Sequence, residues 1–315
     1  MYQLRFINRK CKFEDLEESF KKYVVDEMKT SDITKMMIKS SIDLITVENT
    51  SWQFIAGRLA IIDLYKEASN NRGIKIKDIY RGKTYKALFD EYIQNGLYYK
   101  DFYNHYSEED ILKAGRKLSK DTDLTYNYTT ALMYRKRYLL NPNGVTKELP
   151  QEMYMSAALF LAIPESDETR LETAFRIYEY CSKGMISLPT PTLLNARTNY
   201  HQLSSCFKLN VEDDLRGIYH SIENMSQISK YGWGIGVYMG NVRSKGWSIR
   251  WVKWVSGWVA PWIKVINDTA IAVNQLGARA GAISVTLDVF HRDIYDFLDL
   301  QTETGDIRSK SFDVF

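Results

Sequence analysis

The chain has 315 residues, a length that ordinarily makes about two domains. With 45% hydrophobic and 26% charged residues it has the balance of a globular protein, and disordered, collagenous and low-complexity classes are excluded. The formal net charge of +3 lacks the concentrated basic footprint of a dedicated nucleic-acid binder.

The longest apolar runs, Ala157–Pro164 and Gly257–Ile266, are too short or too interrupted to span a bilayer. No apolar signal region follows the first five residues. The expectation is a cytoplasmic protein with no nucleic-acid and no membrane partner. Three cysteines far apart (Cys11, Cys181, Cys206) and no CxxC argue against a disulfide framework or a zinc cluster. Four histidines (His105, His201, His220, His291) never reach metal-ligand spacing, so no metal site is expected. The 22 tyrosines read mostly as packing residues.

From Met1 to about Met185 the pattern is helical almost throughout. Ser31 can cap a helix through Ile33, Met37, Ile38, Ile42 and Ile45. Trp52–Ala68, Tyr85–Asn95, Glu108–Leu118, Gln151–Leu161 and Glu168–Lys183 follow as helices. Turns are expected at Asn95–Gly96 and Asn141–Gly144. Pro189 and Pro191 predict extended backbone and a domain boundary near Ser187–Pro191.

Beyond that point strands alternate with helices. Ser205–Leu209, Gly236–Met239, Ala282–Leu287 and Phe312–Phe315 lean to strand. Leu215–Ser229, Ala260–Val273 and Asp288–Leu300 lean to helix, the second with Pro261 at its first position. The alternation predicts a parallel α/β arrangement. Three or four strands are too few to close a barrel, and parallel strands need both faces covered. Tryptophans 247, 251, 254, 258 and 262 read as aromatics packing a loop onto the domain. Phe315 ends an apolar segment without a turn, so the chain reads as the first half of something larger.

Chemistry concentrates after residue 186. Thr190 and Ser205 are hydroxyls that, with backbone N–H groups, can hold a diphosphate, although either alone is more often a turn or cap residue. Cys206 alone is more often a small hydrophobe than a reactive thiol. Gly232, Gly234, Gly236 and Gly240 do not fit a dinucleotide fingerprint, because β-leaning residues follow and the spacing is wrong. Close approach of backbone to a ligand or to another strand is the alternative. Asp213–Asp214 opens a helix, where capping is the plainer reading. Arg243 and Arg250 flank a turn in a manner suited to phosphate. Arg279, between Gly277 and Gly281, can reach a base or phosphate.

Taken in order, SLPTPTLLNAR (187–197), QLSSC (202–206), YGWGIGVYMGNVR (231–243), PWIKVINDTAIAVNQLGARAGAISVTLDVFHRDIYDFLDL (261–300) and GDIRSKSFDVF (305–315) resemble the large, catalytic subunit of class I ribonucleoside-diphosphate reductases. KTSDI (29–33) with WQFIAGRLAI (52–61) resembles the end of that family's ATP cone and helical region. The likeness covers nearly the whole chain and is dense from residue 186 onward.

The resemblance implies an α/β fold class: an N-terminal all-helical domain, then the first strands and helices of an incomplete ten-stranded α/β barrel. The implied domains are 1–70 (partial ATP-cone-like region), 71–188 (helical domain) and 189–315 (first part of the barrel). It implies that Cys206 is one of two cysteines that reduce the substrate 2′-position and become a disulfide. Thr190, Ser205, Cys206 and Gly234 would line the substrate. Asp213, Asp214, Leu215, Arg243, Ile249 and Arg250 would form a specificity-effector site at a dimer interface. Gly277, Arg279 and Gly281 would relay effector identity to the substrate base, and Thr30 and Lys66 would touch ATP.

No cofactor is expected on the chain itself. The implied companions are nucleoside triphosphate effectors, a metal-containing small (beta) subunit that supplies the radical, thioredoxin or glutaredoxin as reductant, and a second large subunit. The family's N-x-C-x-E finger loop does not occur in the sequence. The thiyl cysteine, the partner cysteine, the radical-transfer tyrosines and the terminal thiol pair are therefore expected in a C-terminal half. Alone, the chain is expected to be inactive and to aggregate through unpaired strand edges. Arg250-Trp251-Val252 stands where the family usually has Arg-Gly-Gly. The alternative reading is a non-catalytic nucleotide-binding regulatory module.

Overall fold

The computed structural model describes residues 11–248, 251–252, 257, 259–273, 281–302 and 312–314. It divides into two compact units, Met1–Leu203 and Ser204–Phe315.

The first unit is helical. Its elements are α1 (Phe13–Lys21), α2 (Thr30–Asp43), α3 (Trp52–Arg72), α4 (Gly82–Gln94), α5 (Glu108–Lys117), α6 (Lys120–Asp123), α7 (Tyr128–Met133), α8 (Pro150–Leu161), α9 (Asp167–Ser182) and α10 (Thr190–Asn195). Local signals set their ends. Ser107 caps α5 by accepting from the Asp110 N–H at 3.2 Å, and Asp110 accepts from the Ser107 N–H at 3.0 Å, a reciprocal box. Gly73 ends α3 at φ 64°, a left-handed position that costs glycine little.

Helix α8 is the core helix, buried from Pro150 to Leu159. Its polar residues Gln151, Glu152 and Ser156 are all fully buried, so each must find partners. Arg72 grips Glu152 at 2.8 and 3.1 Å. The hydroxyls of Tyr85 and Tyr98 meet Ser156 at 2.9 and 3.1 Å. Many of the tyrosines thus serve the core with a polar handle.

Asp123 is fully buried beside α8. Its Oδ2 accepts from Tyr65 at 2.6 Å and Tyr80 at 2.5 Å, and its Oδ1 accepts from Gln151 at 2.7 Å. Burial pushes the carboxyl up to about 6, and these hydrogen bonds only partly oppose that rise. The ordinary value is 3.8. The native state therefore holds the proton more tightly than the unfolded chain. Stability from this group is full below pH 4 and is lost as pH rises through 6. Asp123→Asn is expected to remove that slope. Between pH 4 and pH 7 the stability difference between wild type and variant should change by about 3 kcal/mol, read from urea denaturation at each pH. A constant difference would refute the assignment.

Pro189 is extended (φ −64°, ψ 151°), as its neighbourhood predicts, but helix α10 begins at once with Thr190. This corrects the expectation of extended backbone through Pro191. A proline in the first helical turn lacks only an N–H that the helix leaves unpaired, and its φ is already helical. Residues 189–203 fold with the helical unit. Arg197, fully buried there, donates Nε and Nη2 to the two oxygens of Glu148 at 2.6 and 2.7 Å, and its backbone carbonyl accepts from the Tyr99 N–H at 2.8 Å.

The second unit is a parallel sheet with helices. Strands β1 (Cys206–Asn210), β2 (Gly234–Tyr238), β3 (Ala282–Thr286) and β4 (Phe312–Val314) lie in sequential order and pair in parallel. Helix α11 (Leu215–Lys230) connects β1 to β2, and α12 (Val259–Val273) lies between β2 and β3. Strand alternation sends Leu209, Ile235, Val237, Ile283 and Val285 into one apolar core with Ile218, Met225, Ile263 and Ile266 of these helices. The other face carries Cys206, Gly234 and Ala282 in one register row, and Lys208, Gly236 and Ser284 in the next. Among the described residues the sheet is open.

Two further expectations are corrected. Asp288–Leu300 is not one helix: only Ile294–Leu298 (α13) is α-helical, followed by a 3₁₀ turn at Asp299–Gln301. His291 and Asp293 make bonds to other segments that hold 288–293 as turns. The tryptophans do not pack a loop as a set. Trp247 and Trp251 are exposed, Trp262 sits in α12 against Tyr219, and Trp254 and Trp258 lie outside the described residues.

Candidate catalytic and effector sites

Cys206 opens β1 with its side chain exposed on the face of the sheet opposite the apolar core. Beside it, the Gly234 N–H donates to the Ser205 carbonyl at 2.8 Å, and Gly234 pairs with Cys206 in register. Three of the residues named for the substrate are therefore neighbours. A Cβ on Gly234 or Gly236 would meet nothing closer than 3.7 or 3.8 Å, ordinary contact distances. Crowding between strands does not explain these glycines, which leaves the open face and what it can admit. The thiol differs from the other two in exposure: Cys181 is buried and Cys11 half-buried.

Thr190 belongs to the first unit. Its hydroxyl meets the Tyr138 hydroxyl at 3.2 Å. Arg197 donates to the Leu193 carbonyl within the same helix and to the Tyr138 carbonyl at 2.8 Å. Buried Arg197 and Glu148 thus fix the helix that presents Thr190. Arg197 stood in the quoted LNAR stretch without a role, and Glu148 lies 49 residues away, so no local pattern links them.

In the second unit, Asp213 and Arg243 come together across 30 residues. Arg243 Nε donates to both carboxylate oxygens at 3.0 and 2.9 Å, its backbone N–H to Oδ1 at 3.0 Å, and Nη2 to the Asp213 carbonyl at 2.9 Å. Both side chains remain about one-third exposed, so the pair itself adds little stability. Asp214 is the N-cap of α11 and accepts from the Gly217 N–H at 3.0 Å. Leu215 is exposed. Ile249, Arg250, Gly277 and Arg279 lie outside the described residues. Asp293 and His291, given no role from the sequence, bond the turn that carries Arg243. Their spacing alone reads as the start of a helix.

Gly281 abuts the C-terminal turn of α11. A Cβ there would lie 2.3 Å from Ser229 Oγ and 2.7 Å from the Ser229 carbonyl. Gly281→Ala is expected to destabilise the chain by about 1–3 kcal/mol through overpacking. Thermal melting checks this, and an unchanged midpoint would sink it. Lys66 donates to the Thr34 hydroxyl at 3.2 Å, and that hydroxyl donates to the Thr30 carbonyl at 3.2 Å, so the two residues named for ATP meet through Thr34. A cleft of about 590 Å³ at Arg81, Lys83 and Arg116 contains none of the residues named from the sequence. Two of its arginines are paired with Asp78 and Glu109. Among the described residues no helix is long and apolar enough to cross a membrane.

Residues 124–201 match the all-alpha domain model of ribonucleotide reductase, and residues 204–314 match the barrel domain model. The chain is 40% identical over 298 residues to the ribonucleoside-diphosphate reductase subunit alpha of Treponema pallidum, covering 94% of this chain and 34% of that relative. Identity to the Synechocystis subunit alpha is 39% over 286 residues, 91% of this chain and 36% of the relative. For the Monkeypox virus large subunit it is 31% over 272 residues, 86% and 34%. The chain spans about a third of the length of the curated relatives it matches. With an all-helical unit leading into parallel strands, and with both of the family's domain models matched in that order, the chain belongs to the ribonucleotide reductase family.

Proposed function

We propose that this chain acts as part of the large subunit of a ribonucleoside-diphosphate reductase, in the radical-based reduction of ribonucleoside diphosphates to deoxyribonucleoside diphosphates in the cytoplasm. The observation that supports this best is the sheet face opposite the apolar core, on which Cys206, the exposed thiol of the three, shares a register row with Gly234. Parallel strands normally have both faces covered, and a thiol among the glycines Gly234 and Gly236 on this face suits a substrate enclosed by further chain. Ser205, next to Cys206 in the chain, would offer hydroxyl and backbone donors to the diphosphate.

In the overall step the ribose C2′–O bond breaks and the hydroxyl leaves as water. The Cys206 thiol and a second thiol each lose one hydrogen and together form a disulfide. The two electrons and two protons so released balance the reduction. Thioredoxin or glutaredoxin would restore the dithiol by exchange. The second thiol and the radical-bearing cysteine belong to a C-terminal half, and the radical originates in a metal-containing small subunit. Among the described residues of this chain no group of three or more His, Cys, Asp or Glu could hold a metal ion.

Asp213, Asp214, Leu215 and Arg243, with Ile249 and Arg250, would receive a nucleoside triphosphate where two large subunits meet. Arg243 Nη1 makes no hydrogen bond within the described residues and is the group offered to phosphate. Gly277, Arg279 and Gly281 would pass effector identity to the substrate base as a coupling free energy. Thr30 and Lys66 would contribute to ATP binding.

The test is reconstitution. The chain, a C-terminal half carrying N-x-C-x-E, and a radical-generating subunit should together convert a ribonucleoside diphosphate to its deoxy form, and no two of them should suffice. Failure of the complete mixture, with nucleotide binding retained by the chain, would favour the regulatory module. The Asp213–Arg243 pair motivates that second reading.

A further inference from the structure

An aspartate at a helix N-cap normally accepts from an N–H of its own helix. Asp293 is the N-cap residue of α13, yet its side chain makes no such bond. It is 4% exposed, and its carboxylate is directed elsewhere. Oδ1 and Oδ2 accept from the Lys245 N–H at 3.1 and 3.2 Å, and Oδ2 also accepts from the Val259 N–H at 3.2 Å. Val259 is the first residue of α12, so this oxygen satisfies one of the N–H groups that a helix start leaves unpaired.

His291 completes the arrangement. Its Nε2 bonds the Val242 carbonyl at 2.9 Å, and its Nδ1 accepts from the Asp293 N–H at 3.2 Å. The ring therefore donates to Val242 and is held by the backbone of the residue it supports. Val242 and Lys245 bracket Arg243, and Gly246 closes the same turn at φ 74°. One buried carboxylate and one imidazole thus hold the residues on either side of Arg243, and tie the turn to the start of α12.

We propose that Asp293, supported by His291, is a positioning residue for nucleoside triphosphate binding at the Arg243 turn. This rests on the effector-site reading given above. Asp213 orients the Arg243 side chain, whereas Asp293 sets the backbone from which that side chain projects. A guanidinium recognises phosphate by direction as well as charge, so a displaced turn loses affinity even with Arg243 present.

The experiment measures dTTP and dGTP affinity of the chain assembled with its C-terminal half by isothermal titration, for wild type, Asp293→Asn, Arg243→Gln and the double variant, with thermal midpoints alongside. Asp293→Asn is expected to weaken binding at least tenfold. The double variant should bind no more weakly than Arg243→Gln alone, because both changes act through one guanidinium. A purely structural role would instead lower the midpoint and multiply the two losses. Full multiplication, or Asp293→Asn binding within twofold of wild type, overturns the proposal. If Asp293→Asn does not fold, His291→Ala removes the bond to Val242 and leaves the carboxylate. It should weaken binding about threefold, and an unchanged affinity counts against the proposal. A wild-type assembly that binds neither nucleotide refutes the effector site itself, and the positioning role falls with it.

Discussion

Cys206→Ser is expected to abolish turnover with a dithiol reductant in the reconstituted enzyme, by a factor of about 10³ or more, the scale on which loss of a reacting group is read. Serine is close to cysteine in size and puts a hydroxyl in place of the thiol on the same exposed face, so the sheet should fold unchanged. It cannot form a disulfide, and the two electrons for the 2′-carbon then have no source. Nucleotide affinity at the Arg243 turn should stay within about twofold, since that turn follows β2 and Cys206 opens β1. Deoxynucleotide formation measured with thioredoxin, together with dTTP titration, separates the two effects. Wild-type turnover by the serine variant would remove Cys206 from the chemistry. Parallel loss of turnover and of nucleotide binding would point to a folding defect instead.

Arg197→Met is expected to cost about 3–5 kcal/mol, the range for breaking a buried ion pair from one side. Both partners have fully buried side chains, so the Glu148 carboxylate would be left without its cation. Tyr98 and the Leu140 N–H, each at 2.7 Å, would be its remaining donors. Replacing both residues with apolar ones should recover much of the loss, because the desolvation cost of the carboxylate disappears with it. Urea denaturation of wild type, Arg197→Met, Glu148→Leu and Arg197→Met/Glu148→Leu gives the four values. Strict additivity of the two substitutions would refute the pairing. The single variant should also loosen α10, which loses the bond from Arg197 to its Leu193 carbonyl, and with it the hydroxyl of Thr190.

Much of the helical unit can be read from local signals. The capping box at Ser107 and the proline opening α8 act within one turn of chain, so their effects survive without tertiary context. Strand alternation likewise places Cys206 and Leu209 on opposite faces before any packing is known. The region from Asp288 to Leu300 is where local reasoning errs. Its acidic start and apolar spacing favour helix, but Asp293 and His291 bond the Arg243 turn, and the helix shortens to Ile294–Leu298.

Composition and periodicity were enough to place this chain in two parts, a helical one and a parallel α/β one, and the family resemblance of its motifs singled out Cys206, Asp213 and Arg243. These features depend on neighbours within a few residues or on strings of residue types, and both are written linearly. Folding alone reveals the carboxylates and their partners: Asp123 with tyrosines 58 and 43 residues away, Glu148 with Arg197, and Asp293 with a turn 48 residues upstream. A buried charge takes whichever donors the packed core brings within about 3 Å. That choice is made by the meeting of distant segments, and nothing in the spacing along the chain records it.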